Sequence, residues 1–477
     1  MSIIIPANSA VGGGYAVDNS CRFNNASDDS LTRSLGASET SLKKGTLSFW
    51  IKRAEAVGTA MWIYSNEVDN DNNRAYIEID ANANLRVLNS QGGANPVYFI
   101  TDAEYRDFGA WSHFVIAIDT TQGTESNRVK IYNNGVQITS FSQATYPSVN
   151  TDLKLFEGGQ TNKNHIGNIH GQSGKLSAYL SEFVYIDGTQ NAATDFGEFD
   201  SDSGIWKPID VSGLTFGNNG VYLDFEDSSA LGADVSGNSN NFTVNNLTAI
   251  DQTTDTPTNN FATLNPLYKQ DGVFSEGNLA YTISASDFDS GVSTIAPSLG
   301  KWYFETKITA TAGGTTRNSF GICDVRDGNL VAESEFGQPG SGRVGDTVGW
   351  TGNSSTAIYK NGSSVYSGTQ YTTNDILSCA VDLDNGAVYF RKNGGSWLNS
   401  GNPESGSSRT GAVTITTGQE YAFGNTAYSG SAFIINFGNP AFTGTDQADG
   451  NDRGSFEYAV PSGYLALCSL NLSEVLS

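Results

Sequence analysis

Acidic side chains at alternate positions are the first residues in this sequence that could do chemistry. Asp69 is followed by Asp71, and Asp200 by Asp202. Carboxylate oxygens at such spacing are the ligand type that Ca²⁺ prefers. Arg74, however, stands where the sharp turn of a calcium loop needs glycine, and no glutamate follows at the distance of a bidentate ligand. We therefore expect solvated turn residues. Calcium at one of these aspartates is the alternative, and we expect no other cofactor.

Nucleophilic hydrolysis has little support in the sequence. There is no Gly-x-Ser-x-Gly motif of the kind that exposes a serine nucleophile on a sharp turn. Phosphate-binding loops and zinc-type spacings of cysteine and histidine are also missing from the sequence. His113 lies in the apolar stretch 111–119, where we expect a buried structural histidine. We predict that the protein is not an enzyme and has no catalytic residues.

Aromatic side chains are the remaining candidates for a binding site. A ring can stack on a sugar while Asn and Asp side chains in nearby loops meet its hydroxyl groups. We take Trp62, Tyr64, Tyr98 and Trp397 as glycan-binding candidates. For each of them, packing in a hydrophobic core is the alternative.

The composition indicates what kind of scaffold positions these residues. A chain of 477 residues exceeds the roughly 250–300 residues that one core serves, so we expect at least two domains. The 54 glycines and the many Thr, Val, Ile and Tyr residues favour strands and tight turns. The net charge of −24 disfavours nucleic acid and anionic membranes as partners, although acidity also simply keeps a β-protein in solution.

Short stretches of alternating polar and apolar residues dominate the sequence. The stretches 47–52 and 115–119 are examples, and Asn-Gly pairs suited to type I′ turns, such as Asn134-Gly135, close many of them. The pattern predicts an all-β fold with two antiparallel jelly-roll-type β-sandwich domains. We place them at residues 1–190 and 271–477, joined by a polar, partly β linker at 191–270.

Cysteine usage and the N-terminus bear on where the protein is made. The four cysteines are scattered, and most lie in apolar stretches, so we expect buried, reduced thiols. No apolar run approaches the roughly 20 residues that span a bilayer. Residues 1–6 lack the basic segment and long apolar core of a signal peptide, so we do not expect export by that route.

The first predicted sandwich resembles the laminin-G-like, concanavalin A-like family. The stretches that carry this resemblance are LSFWIKR (47–53), WSHFVIAID (111–119), VKIYNNGVQIT (129–139) and LSAYLSEFVYIDG (176–188). It implies that Trp50, Phe114, Tyr132 and Phe183 are core or half-core aromatics on facing sheets.

The second predicted sandwich resembles a SPRY domain. The matching stretches are GKWYFETKI (300–308), SFGICD (319–324), VGW (348–350), IYKNG (358–362) and DILSCAVDLDNGAVYFRKNGGSW (375–397). In the last stretch, alternation places Leu377, Cys379, Val381 and Leu383 on one face of a strand. Asp384-Asn385-Gly386 then reverses the chain.

The middle of the chain resembles a module of marine bacteriophage structural proteins, where it separates a laminin-G-like from a SPRY-like domain. Its stretches are FGEFD (196–200), GIWKP (204–208), GVYLDFED (220–227), DVSGNSNNFTV (234–244) and DTPTNNFATLNPL (255–267). The resemblance implies a virion protein made in the bacterial cytoplasm, either a tail fibre or a capsid-attached fibre. Its expected partners are other virion proteins, a host surface glycan or protein, and further copies of itself, with a trimer as our expectation.

Glycosidases of the concanavalin A-like family carry the strand Glu-x-Asp-x-x-Glu, which supplies their paired carboxylates. Three stretches of this chain begin that way, at Glu67, Glu78 and Glu198, but Asn72, Ala83 and Ser203 replace the second glutamate. The resemblance therefore implies host attachment by binding rather than cleavage. A bacterial surface adhesin or secreted carbohydrate-binding protein remains the alternative.

Overall fold

The computed structural model describes residues 14–476 apart from 55–57, 59, 68–71, 162, 170–175, 269–270, 285–287, 312–317, 327–335, 338–344 and 353–355. These residues form two units, the first ending at Asn259 and the second beginning at Asn260. Each unit has its own hydrophobic core. Within the described part of the chain, no helix is long and apolar enough to cross a membrane.

Strands form in the first unit where β-branched and aromatic residues alternate with polar ones. They are β1 (Ser20–Phe23), β2 (Ser30–Arg33), β3 (Lys44–Arg53), β4 (Met61–Glu67), β5 (Asn73–Ile79), β6 (Asn84–Gln91), β7 (Ala94–Glu104), β8 (Ser112–Asp119), β9 (Val129–Asn133), β10 (Val136–Gln137), β11 (Phe141–Thr145), β12 (Asn164–Ile166), β13 (Ala178–Asp187), β14 (Gly197–Phe199), β15 (Trp206–Pro208), β16 (Val221–Leu223), β17 (Thr243–Asn245) and β18 (Gln252–Thr253). Short 3-10 helices lie at Asn25–Ser27, Glu125–Asn127, Ala193–Asp195 and Ala249–Asp251.

Two antiparallel sheets enclose the core of the first unit. The β3 sheet has the order β10-β9-β8-β3-β13-β1-β18, with β16 also paired to β13. The β5 sheet has the order β11-β7-β6-β5-β4-β12-β2-β17, and β14 and β15 form a separate hairpin. Alternate residues of each strand point into the core, so Phe49 and Phe114 from one sheet share it with Ile77 and Phe99 from the other.

The four aromatic residues predicted on facing sheets are all buried or half-buried, but the prediction of facing sheets is wrong. Trp50, Phe114, Tyr132 and Phe183 belong to β3, β8, β9 and β13, which are all strands of the β3 sheet. Phe114 and Phe183 lie in the core between the sheets. Trp50 and Tyr132 lie in a second cluster on the other face of the same sheet, because side chains alternate along a strand.

That second cluster explains why residues 191–259 are not a linker in this structure. Trp206, Phe216 and Tyr222 pack on Trp50 and neighbouring apolar residues of the β3 sheet. The segment also adds β16, β17 and β18 to the two sheets. The structure therefore divides the chain differently from the predicted boundaries, since the few apolar residues of this polar segment cover an apolar sheet face.

A buried ion pair fixes the end of the same segment. Asp255 Oδ2 lies 2.7 Å from Lys52 Nζ on β3, and both side chains are fully buried. Trp111 Nε1 donates a hydrogen bond of 3.0 Å to the other carboxylate oxygen of Asp255. Removing one partner of such a pair typically costs about 3–5 kcal/mol, so the chain is firmly held where the first unit ends.

The second unit repeats the same construction. Its strands are β19 (Val273–Ser275), β20 (Ala280–Thr282), β21 (Phe288–Val292), β22 (Lys301–Ala310), β23 (Ser319–Asp324), β24 (Thr347–Thr351), β25 (Ala357–Lys360), β26 (Ser363–Ser367), β27 (Ile376–Asp382), β28 (Ala387–Lys392), β29 (Val413–Thr414), β30 (Tyr421–Tyr428), β31 (Ala432–Asn436), β32 (Gln447–Ala448) and β33 (Ser455–Phe456). Its helices are α1 (Ser469–Leu476) and 3-10 turns at Pro266–Tyr268, Leu398–Ser400 and Pro403–Ser408.

The sheets of the second unit have the orders β19-β20-β31-β22-β27-β28-β29 and β21-β30-β23-β24-β25-β26, with a small β32–β33 hairpin. Four side chains were predicted to share one face of β27 and its turn. All four lie in the core, namely Leu377, Cys379, Val381 and Leu383. Gly386 takes the positive φ of 64° that the predicted turn requires. The predicted all-β class is confirmed, and the four cysteines are buried thiols.

Candidate functional site

A β-bulge separates two of the glycan-binding candidates. Trp62 on β4 pairs with Glu78 on β5, whereas Tyr64 pairs with Ile77, so one extra residue interrupts the register. Such a residue reverses the alternation of side chains between the two faces of a sheet. Trp62 therefore lies on the outer face of the β5 sheet, and Tyr64 lies in the core with 0% exposure. Because Tyr64 cannot reach a ligand, we remove it from the candidates.

Trp62 and Tyr98, by contrast, lie on the same surface. Tyr76 pairs with Leu88, and Leu88 pairs with Tyr98, which forms a row across β5, β6 and β7. The Trp62 and Tyr76 rings meet edge to face at 4.7 Å, and Ile169 packs against the group. We call Trp62, Tyr76, Leu88 and Tyr98 the aromatic face. Trp62 and Tyr98 are half-buried, so part of each ring is accessible to a ligand.

Charged groups border the aromatic face. Arg86 Nη1 lies 2.6 Å from Glu78 Oε1, and Nη2 lies 3.3 Å from Asp80 Oδ2. The Arg74 guanidinium lies 5.5 Å from the centre of the Tyr76 ring. Burial raises the pKa of Glu78 to about 7, although the Arg86 charge opposes that rise. Apolar rings beside fixed hydrogen-bonding groups are the combination that orients a sugar.

Glu78 and Asp80 belong to one of the three Glu-x-Asp stretches. Their carboxylates both bind the Arg86 guanidinium, which makes them an ion-paired triad. Ala83, in place of the second glutamate, lies in the following turn with a φ of 68°. In this stretch the structure therefore supplies no further carboxylate at the position where glycosidases of this type have one.

A buried serine–histidine pair resembles a nucleophile and its base. Ser48 Oγ lies 2.8 Å from His113 Nε2, and Trp206 Nε1 lies 3.0 Å from Nδ1. Because an indole nitrogen only donates, Nδ1 is the acceptor, and Nε2 carries the proton that it donates to Ser48. Burial also lowers the pKa of His113 to about 3. This histidine cannot accept a proton from Ser48, so its role is structural.

The fourth aromatic candidate, Trp397, lies in the second unit. It is half-buried, and the Arg391 guanidinium lies 4.6 Å from the centre of its ring. Arg391 donates hydrogen bonds to Tyr303 Oη at 2.9 Å and to the Ala459 carbonyl at 2.6 Å. Tyr303 in turn donates to Glu305 at 2.7 Å. These contacts indicate that Trp397 covers a buried polar network.

Of the aspartates considered as calcium ligands, the structure describes Asp200 and Asp202. Asp69 and Asp71 lie outside the described residues. Asp200 Oδ1 accepts hydrogen bonds from the backbone nitrogens of Asp202 and Ser203, and Oδ2 lies 3.2 Å from Lys207 Nζ. Hydrogen bonds from Ser203 and Lys207 lower the pKa of Asp200 to about 2. Among the described residues, no group of three or more His, Cys, Asp or Glu side chains is placed to hold a metal ion.

The sequence alone did not identify Tyr76, Glu78 and Arg86 as part of this surface. The available signal was the alternation of Arg74, Tyr76 and Glu78 along β5, which places all three on one face. Their neighbours on β4 and β6 depend on pairing register, which alternation within one strand does not define.

Comparison with known proteins supports the expected resemblance of the first unit. Residues 25–184 match the model of the "Concanavalin A-like lectin/glucanases superfamily", a laminin G model. No curated protein matches the sequence.

Solved structures similar to the chain include a SPRY domain and a pair of laminin domains. The SPRY domain of human HERC1 is 14% identical, covers 36% of this chain and 96% of its own, and has a TM-score of 0.28. Domains LG4-5 of the mouse laminin alpha1 chain are 10% identical, cover 91% of this chain and 93% of their own, and have a TM-score of 0.28.

Proposed function

We propose that the protein is a bacteriophage virion structural protein, a tail fibre or a capsid-attached fibre, that binds glycans on the host cell surface. The aromatic face is the observation that carries the binding part of the proposal. The virion part is supported by the order of the modules and by the phage-like motifs between 196 and 267. The alternative is a bacterial surface adhesin or a secreted carbohydrate-binding protein.

Binding at the aromatic face would use both kinds of group found there. The apolar face of a sugar ring stacks on Trp62 or Tyr98, and its hydroxyl groups bond to Arg86, which Glu78 holds in place. Trp62 is braced edge-on by Tyr76, so little side-chain entropy is lost when a sugar binds. The net charge of −24 favours neutral or cationic glycans over strongly anionic ones.

A glycan array tests the binding proposal. We expect Trp62→Ala to weaken binding at least about tenfold, because truncation of an aromatic anchor commonly costs more than about 1.4 kcal/mol. Trp397→Ala is the matched control, since it removes a half-buried tryptophan from the other unit. Unchanged glycan binding by Trp62→Ala, with the fold intact by circular dichroism, contradicts a role for the aromatic face.

Cryo-electron microscopy of purified particles tests the virion proposal. We expect this chain as symmetric projections on the tail or capsid, and a trimer by light scattering of the isolated protein. Complete particles that lack the chain contradict a virion role and favour the adhesin or secreted protein instead.

A further inference from the structure

Lys52 and Asp255 place an amine directly against a carboxyl group inside the first unit. Lys52 Nζ lies 2.7 Å from Asp255 Oδ2, and the two residues are 203 positions apart in the chain. Both side chains have 0% exposure. An amine and a carboxylic acid can condense to an amide when the fold holds them in contact and keeps water away. The pair can therefore react as well as attract.

Aromatic rings lie around this contact. Lys52 Nζ lies 5.7 Å from the centre of the Tyr179 ring. The Trp111 ring meets the Tyr179 ring edge-on at 6.3 Å, and both rings are fully buried. Bulk water does not reach the amine or the carboxyl group, so an amide formed between them is protected from hydrolysis.

Burial favours the uncharged forms that condensation needs. Desolvation lowers the pKa of Lys52, although the Asp255 charge opposes that shift. A lysine is a nucleophile only after it has lost its proton, and desolvation in an apolar site is one way to activate it. Transfer of one proton from Nζ to Oδ2 across the 2.7 Å contact gives a neutral amine and a neutral acid at once.

A hydrogen-bond donor lies where negative charge develops during the reaction. Trp111 Nε1 donates to Asp255 Oδ1 at 3.0 Å. Attack of Lys52 Nζ on Cγ of Asp255 places negative charge on Oδ1, the oxygen that does not leave. A fixed N–H group aimed at such an oxygen stabilises the tetrahedral intermediate, most strongly where water is excluded.

We propose that Lys52 and Asp255 condense spontaneously to an isopeptide bond that crosslinks the first unit. The bond between Lys52 Nζ and Asp255 Cγ forms, and the bond between Cγ and Oδ2 breaks. Oδ2 leaves as water with the two protons that Nζ loses, so the reaction needs no co-reactant. The neutral amide replaces two buried charges, which are costly to hold away from water. It ties β3 covalently to the end of segment 191–259, whether or not the protein binds glycans.

Mass spectrometry of the denatured full-length chain tests the proposal. We expect the mass of the wild-type protein to be lower than its sequence mass by one water molecule. A tryptic digest then contains a branched peptide that includes both Lys52 and Asp255, without cleavage after the acylated Lys52. A wild-type chain with its full sequence mass and no branched peptide overturns the proposal, and this measurement does not depend on the folding of any variant.

Two arginine substitutions locate the loss of water. Lys52→Arg keeps a positive charge beside Asp255, but its guanidinium stays protonated and does not attack, so we expect the full sequence mass. Lys43→Arg is the matched control. Lys43 Nζ also lies 2.7 Å from a carboxylate oxygen, that of Asp152, but these side chains are 35% and 52% exposed. We expect Lys43→Arg to lose one water molecule as the wild type does. A loss of water that persists in Lys52→Arg arises elsewhere in the chain and contradicts the assignment.

Discussion

Glu182 on β13 is a carboxyl group held away from water. Tyr222 Oη donates a hydrogen bond of 2.8 Å to Glu182 Oε2, and Tyr15 Oη lies 3.3 Å from the same oxygen. Burial raises the pKa of Glu182 to about 8, and the hydrogen bonds from Tyr222 and Tyr15 oppose that rise. The folded protein therefore binds this proton more tightly than the unfolded chain does.

This difference makes the stability of the first unit depend on pH. The contribution of Glu182 is fully present below its ordinary pKa of 4.5 and is lost as pH rises towards about 8. Glu182→Gln mimics the neutral acid, so we expect its stability relative to wild type to increase across that range, by about 1.4 kcal/mol for each unit of pKa shift. Urea unfolding at several pH values measures this, with the exposed Glu125→Gln as control. A stability difference that does not change with pH contradicts the prediction.

At the residue scale, the sequence offered candidate residue types but did not define their orientation. Trp62, Tyr64 and Tyr98 were identified by residue type, but alternation alone places Trp62 and Tyr64 on one face. The bulge between them reverses that result, and nothing in the local sequence specifies it. His113 was correctly expected to be buried, because the apolar stretch around it indicates a core strand.

Trp206 connects two elements that are distant in sequence. It lies on β15, donates to His113 on β8, and covers the Asn134-Gly135 turn between β9 and β10. Gly135 has a φ of 77°, and a Cβ atom there would lie 2.3 Å from the Trp206 ring. Because glycine has no side chain, it allows the turn and the segment 191–259, which carries Trp206, to approach each other closely.

We expect Gly135→Ala to destabilise the first unit by more than about 2 kcal/mol. The left-handed conformation alone costs about 1–2 kcal/mol for a residue with a side chain, and the clash with Trp206 adds to it. Gly237→Ala is the matched control, because Gly237 has a φ of 89° with no atom within 4 Å of its Cβ position. If urea unfolding shows that both variants lose the same unfolding free energy, the clash with Trp206 does not destabilise Gly135→Ala.

At the scale of elements, the hairpins could be predicted from the sequence, but the packing of segment 191–259 on the β3 sheet could not. The turn at 384–386 could be placed because its residues suit positive φ and the flanking strands alternate. The segment 191–259 has a polar composition typical of linkers, and the apolar residues that pack on the β3 sheet, among them Trp206, Phe216 and Tyr222, are scattered along it. Such long-range packing leaves no periodic pattern in the sequence, so composition alone suggested the wrong boundary.

At the scale of the whole molecule, each unit has its own main hydrophobic core between its two sheets. Phe49, Phe114 and Ile77 belong to the first, and Phe304, Phe320 and Phe423 belong to the second. Units with separate cores commonly unfold as separate cooperative transitions.

We therefore expect two transitions in differential scanning calorimetry of the full chain. Gly135→Ala lowers only the transition of the first unit, by about 2–4 °C for each kcal/mol lost in a unit of this size. Limited proteolysis of Gly135→Ala is a second measurement, and we expect it to cleave the first unit while the second unit stays intact. A single transition that moves as a whole in Gly135→Ala contradicts independent unfolding.

Because all four cysteines are buried, the native surface offers no thiol group that a thiol reagent can modify. Cys21 lies in the first unit and Cys323, Cys379 and Cys468 in the second, each with 0% exposure. A maleimide dye therefore labels a side chain only when a unit opens, and the positions labelled identify which unit has opened. It also follows that one cysteine introduced at an exposed site, such as Ala103, carries a fluorophore or a crosslinker without background from the native thiols.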